Sequence, residues 1–393
     1  MSVRVASEEE RIARATLLRI SEPAMGGLVR HVRGVGPLQA VADIAAGASV
    51  PDVSVDVLQA RLVGVRGSAD IEAAASIGAR LICPGDPDWP QPLDDLAWID
   101  ADCFGLWARG PADPGALGFR AVAVVGTRAP TDYGLYVAGE FSAGLADRDW
   151  AVVSGLAFGI DGAAHRGALA AGGITVAFLA CGVDLAYPRG HESLYEQICA
   201  EGVVMSEHSP GVTPQRPRFL VRNRLIAALA AGTVVVEMAP RSGAASTARH
   251  AARLRRHVMA VPGPITSLTS SGCHQYLRDN PGSVMVTRVE EIVEQCGHMG
   301  EFAEPLVGPT TARDRLGPAI ARVLEGMPAS RPAGAEAIAA AAGVPLPVAT
   351  AALAALGTLG LVEQTEDGWR MSALGRRDRR DRRRFPLDEV LMG

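Results

Sequence analysis

From residue 121 onward two kinds of segment alternate along the chain. Short, almost uninterrupted apolar runs recur at Ala121–Gly126, Trp150–Gly155, Thr175–Ala180, Gly202–Glu207, Thr233–Met238, His257–Pro262 and Ser283–Thr287. Most of the intervals hold Ala-rich, helix-compatible sequence, such as Gly134–Ala146, Ile160–Ala171 and Ala244–Arg256. Strands that are apolar on both sides, alternating with helices, predict a parallel sheet covered on both faces. The expected fold class is α/β, doubly wound, with ligands at the carboxyl ends of the strands.

The flanks follow other patterns. Residues 1–67 read as a small helical module, with helices over Glu8–Ile20, Ala24–Val32, Pro37–Ala46 and Asp52–Leu62, several of them separated by Gly-containing turns. The α/β domain is assigned to 68–297, and the Pro- and Asp-rich run Pro84–Asp102 within it reads as an extended connector. A linker over 298–312 leads to helical segments at Leu316–Glu325, Gly334–Ala342 and Pro347–Leu361. Two short strands follow, around a turn at Glu366-Asp367-Gly368, so 313–374 reads as a winged-helix module. Its third helix contains no Arg, which suits packing or protein contact better than a duplex groove. The tail over 375–393 carries seven Arg and two Asp between Arg376 and Arg384, a run expected to stay solvated.

Composition narrows the chemistry. The chain of 393 residues has a formal charge of −5, and all 38 of its basic residues are Arg. Without Lys there is no standard Walker A loop, kinase lysine or Schiff base, and phosphate contacts fall to Arg, backbone N–H and hydroxyls. The six Cys are too scattered for a zinc knuckle, the His form no HExxH, and no metal or cofactor is expected. No apolar run approaches a membrane span and the start lacks a signal-peptide core, so the expected location is the cytoplasm with no membrane partner.

Candidate binding residues lie at the strand ends. The first strand ends in Gly126-Thr127-Arg128 and the second in Ser154-Gly155, leading through Gly159 into a helix, which together offer close backbone approach, N–H groups and a guanidinium. Neither string fits the dinucleotide fingerprint, and no G-x-S-x-G elbow occurs. Residues 216–256 hold nine Arg against one acid, Glu237, a density that implies a polyanion site. Arg222-Asn223-Arg224 and Arg241-Ser242-Gly243 flank the strand Thr233–Met238 and are the favoured contacts, whereas Arg253, Arg255 and Arg256 suit a helix C-terminus equally well. Tyr187-Pro188-Arg189 could offer a stacking ring and a phosphate contact, or be a packed surface turn.

These strings occur in a fixed order together with Gly182-Val183-Asp184, Ser206-Glu207, Phe219 and Val261-Pro262-Gly263. The ordered set resembles the DNA-processing protein DprA (Smf) family across roughly residues 80–290, and the flanking modules resemble its end domains. The resemblance implies an extended Rossmann-like core between an N-terminal SAM/HhH-like module and a C-terminal winged helix. It implies a non-enzymatic, homodimeric recombination mediator that binds incoming single-stranded DNA in natural transformation, protects it and helps load the RecA recombinase. Carried over, the phosphate pocket uses Gly126, Thr127, Arg128, Ser154, Gly155 and Gly159, with Arg222, Asn223, Arg224, Arg241 and Ser242 in the other basic motifs. Position 241 commonly holds Lys in the family, and position 127 is often Ser. The rival reading is a nucleotide phosphoribohydrolase-like Rossmann enzyme, whose P-G-G-x-G-T-x-x-E string is incomplete here, where Val261-Pro262-Gly263-Pro264 stands. A third class, a duplex-binding regulator working through the winged module, predicts a preference for double strands.

Overall fold

The computed structural model describes residues 5–118, 120–239, 242–297, 316–328 and 331–376. The chain divides into two compact units, residues 1–304 and 305–393. The first is built on one nine-stranded sheet: β1 (Ala79–Ile82), β2 (Leu106–Arg109), β3 (Ala121–Val125), β4 (Ala151–Ser154), β5 (Thr175–Phe178), β6 (Val203–Ser206), β7 (Gly232–Val235), β8 (His257–Ala260) and β9 (Val284–Met285). Their spatial order is β1-β2-β6-β5-β4-β3-β7-β8-β9. All pairings from β6 to β9 are parallel, and β2 runs antiparallel to both β1 and β6. The mixed, mostly parallel α/β sheet is the fold class that the apolar runs predict.

Five helices precede the sheet: α1 (Glu8–Ile20), α2 (Gly26–Val35), α3 (Pro37–Ala46), α4 (Val55–Leu62) and α5 (Gly67–Ser76). Helix α1 starts where Ser7 Oγ accepts from Glu10 N–H at 3.2 Å, with three Glu in the first turn facing the positive end of the helix dipole. Leu17, Leu28, Ile44 and Leu58 of this set share one core with Leu81, Trp107, Ala177 and Val204 of the sheet. The later helices are α6 (Pro114–Leu117), α7 (Asp132–Ala146), α8 (Ile160–Ala170), α9 (Glu192–Glu201), α10 (Arg216–Leu229), α11 (Ala244–Arg253), α12 (Leu268–Asp279) and α13 (Val289–Cys296). Alternation along β3 shows how they cover both faces. Val122 and Val124 meet α7, α8 and α13, while Ala121, Ala123 and Val125 meet α10 and α11. Every residue of β3 through β7 is buried, which is why these strands read as continuous apolar runs.

Two sequence expectations need correction here. Most of the stretch Pro84–Asp102 is not extended: Gln91–Ile99 forms a 3-10 helix, and Leu93 and Leu96 anchor it in the core. The strands β1 and β2 also escape the apolar pattern, because they are only four residues long and Arg80 interrupts the first while Arg109 ends the second.

The second unit contains α14 (Pro318–Gly326), α15 (Ala335–Ala342) and α16 (Leu346–Thr358), then the antiparallel pair β10 (Val362–Thr365) and β11 (Gly368–Met371). Val323, Leu324, Ile338, Leu353, Leu356 and Met371 form its core. The linker over 298–312 and the Arg-rich tail beyond Arg376 lie outside the described residues. Among those described, no single helix is long and apolar enough to cross a membrane.

Candidate nucleic-acid interface

The order of strands fixes where a ligand can enter. From β3 the chain steps through β4, β5 and β6 on one side, then returns to add β7, β8 and β9 on the other. The loops after β3 and β7 therefore diverge, leaving a crevice at the carboxyl ends of the strands. A cavity of about 650 Å³ occupies it. Gly126, Thr127 and Arg128 after β3, Ala157 and Asp161 after β4, and Tyr187 after β5 supply one part of its wall. Helix α10 supplies Arg216, Phe219, Leu220, Arg222, Asn223 and Ile226, residues spaced so that one helical face looks into the opening. Ser242, Gly243 and Ala244 at the start of α11 complete it.

The rim combines charge with rings. Arg128 is exposed, and its guanidinium carbon lies 5.2 Å from the centre of the Phe219 ring. On the same ring, Tyr187 packs tilted at 46° with centroids 5.6 Å apart. Arg216 is also exposed, and neither Arg128 nor Arg216 joins an ion pair among the described residues. Helix α11 begins at Gly243 with no side-chain cap, so its first amides point at the opening without a side-chain acceptor. Two buried polar atoms at the cavity wall, Arg222 Nε and Ser242 Oγ, have no hydrogen-bond partner among the described residues.

The floor is organised by Arg222, which is buried. Its Nη1 donates to Gly155 C=O at 2.9 Å and to Phe178 C=O, tying the ends of β4 and β5 together. Burial pulls its pKa down to about 10, with Arg128 adding repulsion and Asp161 opposing, so it stays charged at neutral pH. Asp161 accepts from Gly155 N–H at 3.2 Å, and burial pushes its carboxyl pKa up against the pull of Arg222. A further carboxylate braces the rim from behind. Glu237 accepts from Thr131 N–H at 2.9 Å, from Thr131 Oγ1 at 2.6 Å and from Thr269 Oγ1 at 3.0 Å, anchoring the β3–α7 loop to the start of α12.

The structure sorts the residues singled out from sequence. Gly126, Thr127, Arg128, Arg222, Asn223, Ser242 and Gly243 converge on the cavity. Within that group Thr127 is spent internally, its N–H on Glu237 C=O at 2.8 Å and its hydroxyl accepting from Ala129 N–H at 3.3 Å. Asn223 donates to Gly243 C=O at 3.2 Å and so sets the α11 start against α10. Ser154 is not at the surface: it is fully buried and donates to Val124 C=O at 2.7 Å. Gly155 and Gly159 are glycines for the protein's own packing rather than for a ligand. A Cβ on Gly155 would lie 2.5 Å from the Arg222 guanidinium, and Gly159, at φ +83°, would place one 2.4 Å from Thr127 C=O.

Arg224 is the clearest correction. It makes a bidentate pair with Glu207 at 2.6 Å on both arms and donates to Ala101 C=O at 3.0 Å, with its side chain 1% exposed. Neither a phosphate nor water reaches it. Arg218 pairs with Glu22 and Arg256 with Asp95, so acids from outside the basic segment neutralise three of its members. Arg189 is exposed on the 3-10 turn Arg189–His191 and stands outside the cavity wall, and Arg241 lies outside the described residues. What the sequence reading passed over is Arg216. The signal was the i, i+3, i+7 spacing of Arg216, Phe219 and Asn223, legible only once 216–229 is known to be one helix.

Comparison with known proteins places this fold in a family. The family model described as DNA recombination-mediator protein A matches residues 80–297. A putative DNA processing protein DprA of Mycobacterium tuberculosis is 45% identical over 370 residues, covering 92% of this chain and 94% of that protein. The DNA processing protein DprA of Streptococcus pneumoniae is 38% identical over 210 residues, or 53% of this chain and 72% of that one. An X-ray structure of DprA from Streptococcus pneumoniae superposes with a TM-score of 0.62 at 28% identity, covering 74% of this chain and 99% of that chain. With the matched segment containing the whole cavity wall, and a relative this similar along nearly its full length, the chain belongs to the DNA recombination-mediator protein A (DprA/Smf) family.

Proposed function

We propose that the cavity at the strand crest holds the backbone of single-stranded DNA, and that the protein acts in DNA processing by binding rather than by breaking bonds. The observation that carries this reading is the grouping of Arg128, Phe219 and Tyr187 beside the exposed Arg216 and the open start of α11. Guanidinium groups and helix amides suit phosphates, and exposed rings suit bases, whose faces are free only in a single strand. No part of the arrangement reads base edges, so affinity should depend strongly on salt and weakly on sequence.

The test is a competition between single- and double-stranded DNA of equal length, repeated with Arg128→Ala and Arg216→Ala. Preference for the single strand, weakened in both variants while the fold is retained, supports the site. Equal binding by the variants would refute it. The carboxylate in the wall, Asp161, is committed to the Gly155 N–H, which fits a binder better than a hydrolase. Sustained release of adenine from AMP would overturn that point. Family membership further supports recombination mediation, and we extend the proposal to transfer of the strand to RecA by a homodimeric working form. Faster RecA filament growth on single strands in the presence of the protein, and a dimer mass by sedimentation, are the expected results.

A further inference from the structure

Beside the cavity lies a second group of ring and guanidinium side chains that the proposed site does not use. Phe158, in the β4–α8 loop, has 48% of its surface exposed. Buried His191 packs against it in a T-shaped arrangement, with centroids 4.8 Å apart at 67°, and Gly190 is so close that a Cβ there would sit 3.0 Å from the ring. His191 is fixed in turn by its Nδ1, which donates to Leu156 C=O at 3.1 Å. Arg166 of α8 reaches the same place: the Cβ position of Gly162 is 3.1 Å from its Nη2 and 2.6 Å from the His191 ring. Arg189 precedes Gly190 directly on the 3-10 turn. Both Arg166 and Arg189 are exposed, and neither joins an ion pair among the described residues.

We infer that Phe158, Arg166 and Arg189 form a second subsite for the same DNA strand, taking the nucleotides next to those held in the cavity. The inference rests on the reading of the cavity as a single-strand site. Continuity comes from the chain itself, since Tyr187 lines the cavity and Arg189 follows two residues later. A ring braced by a buried side chain while about half of its surface stays exposed loses little freedom when a base stacks on it. Two exposed guanidinium groups without acidic partners among the described residues match the phosphates of such a strand. An apolar protein partner would cover Phe158 but leave both arginines without a counter-charge, so the strand is the occupant these residues fit.

The experiment uses the full-length protein with Phe158→Ala and with Arg166→Ala/Arg189→Ala, each checked by circular dichroism and compared with Arg128→Ala. Binding is measured to oligo-dT of about four nucleotides, short enough for one subsite, and of about twenty. The expected result is that Phe158→Ala weakens the long oligonucleotide roughly tenfold and leaves the short one unchanged. The double variant lowers the salt dependence of long-strand binding by about 1.4 in the log–log slope, two phosphates' worth. If both variants bind the long strand as the parent does while Arg128→Ala is weakened, the second subsite is refuted and the cavity stands. If the parent itself binds neither length, the cavity reading fails and the second subsite with it.

Discussion

Helix α10 uses the same residue type in two opposite ways along its length. Its first turns carry Arg216, Phe219 and Leu220 to the open crevice, whereas Arg224, two turns on, is sealed against Glu207 among Leu225, Ile226 and Leu229. Arg222 sits between these extremes, lining the cavity yet buried and bonded to two carbonyls. A guanidinium is available to a ligand only where no internal acid or carbonyl already holds it. The comparison therefore separates arginines that shape the site from arginines that touch what enters it.

The largest expected effect tests the sealed end. Arg224→Ala leaves Glu207 buried without its partner and should cost about 3–5 kcal/mol of stability, read as a lower denaturation midpoint. A variant as stable as the parent would mean that the pair is not buried in solution. The same end should respond to acid. Burial holds His208 and His250 at about 4 against an ordinary 6.5, with Arg224 adding repulsion at both and Glu207 opposing at His208. Between 6.5 and about 4 the unfolded chain binds protons that the folded one refuses, so stability is complete above 6.5 and falls as pH drops through that window. A melting temperature that stays flat from neutral pH to about 4.5 would contradict burial of these rings.

Gly155→Ala probes the middle of the comparison. The added methyl overlaps the Arg222 guanidinium, and the expected penalty is about 1–3 kcal/mol together with weaker DNA binding as Arg222 shifts. At the open end, Arg128→Ala should leave the melting temperature unchanged, weaken single-strand binding roughly tenfold and reduce the salt slope by about 0.7. Loss of stability without loss of binding would move Arg128 to the structural class. The smallest effect is expected far from both ends. Ser7→Ala removes the α1 cap, costing about 1 kcal/mol with DNA affinity intact.

Much of the fold is legible from local pattern because its strands are buried on both faces. The run Ala121–Val125 is apolar at every position, and the helices after it repeat small apolar residues at helical spacing. Helix α10 is harder to read, since Arg216, Arg218, Arg222 and Arg224 mask its apolar face in a stretch whose later half is wholly buried. The site is legible in the same uneven way. Arg128 and Gly243 line the cavity because strand ends and helix starts gather at the crest, and Asn223 because one face of α10 forms its wall, while Ser154 and Arg224 satisfy the same motifs from inside the core.

The sequence by itself determined the parallel part of the α/β sheet, the strand ends that carry the site and the family motifs, because each depends on neighbours along the chain. Only the tertiary structure decided which arginines remain free. Glu22 and Asp95 come from far along the chain to neutralise Arg218 and Arg256, Glu207 comes from the preceding strand end to neutralise Arg224, and burial makes that last pairing costly to undo. Charge counted along a sequence takes no account of distance through space, and electrostatic energy depends on that distance and on the water excluded around it.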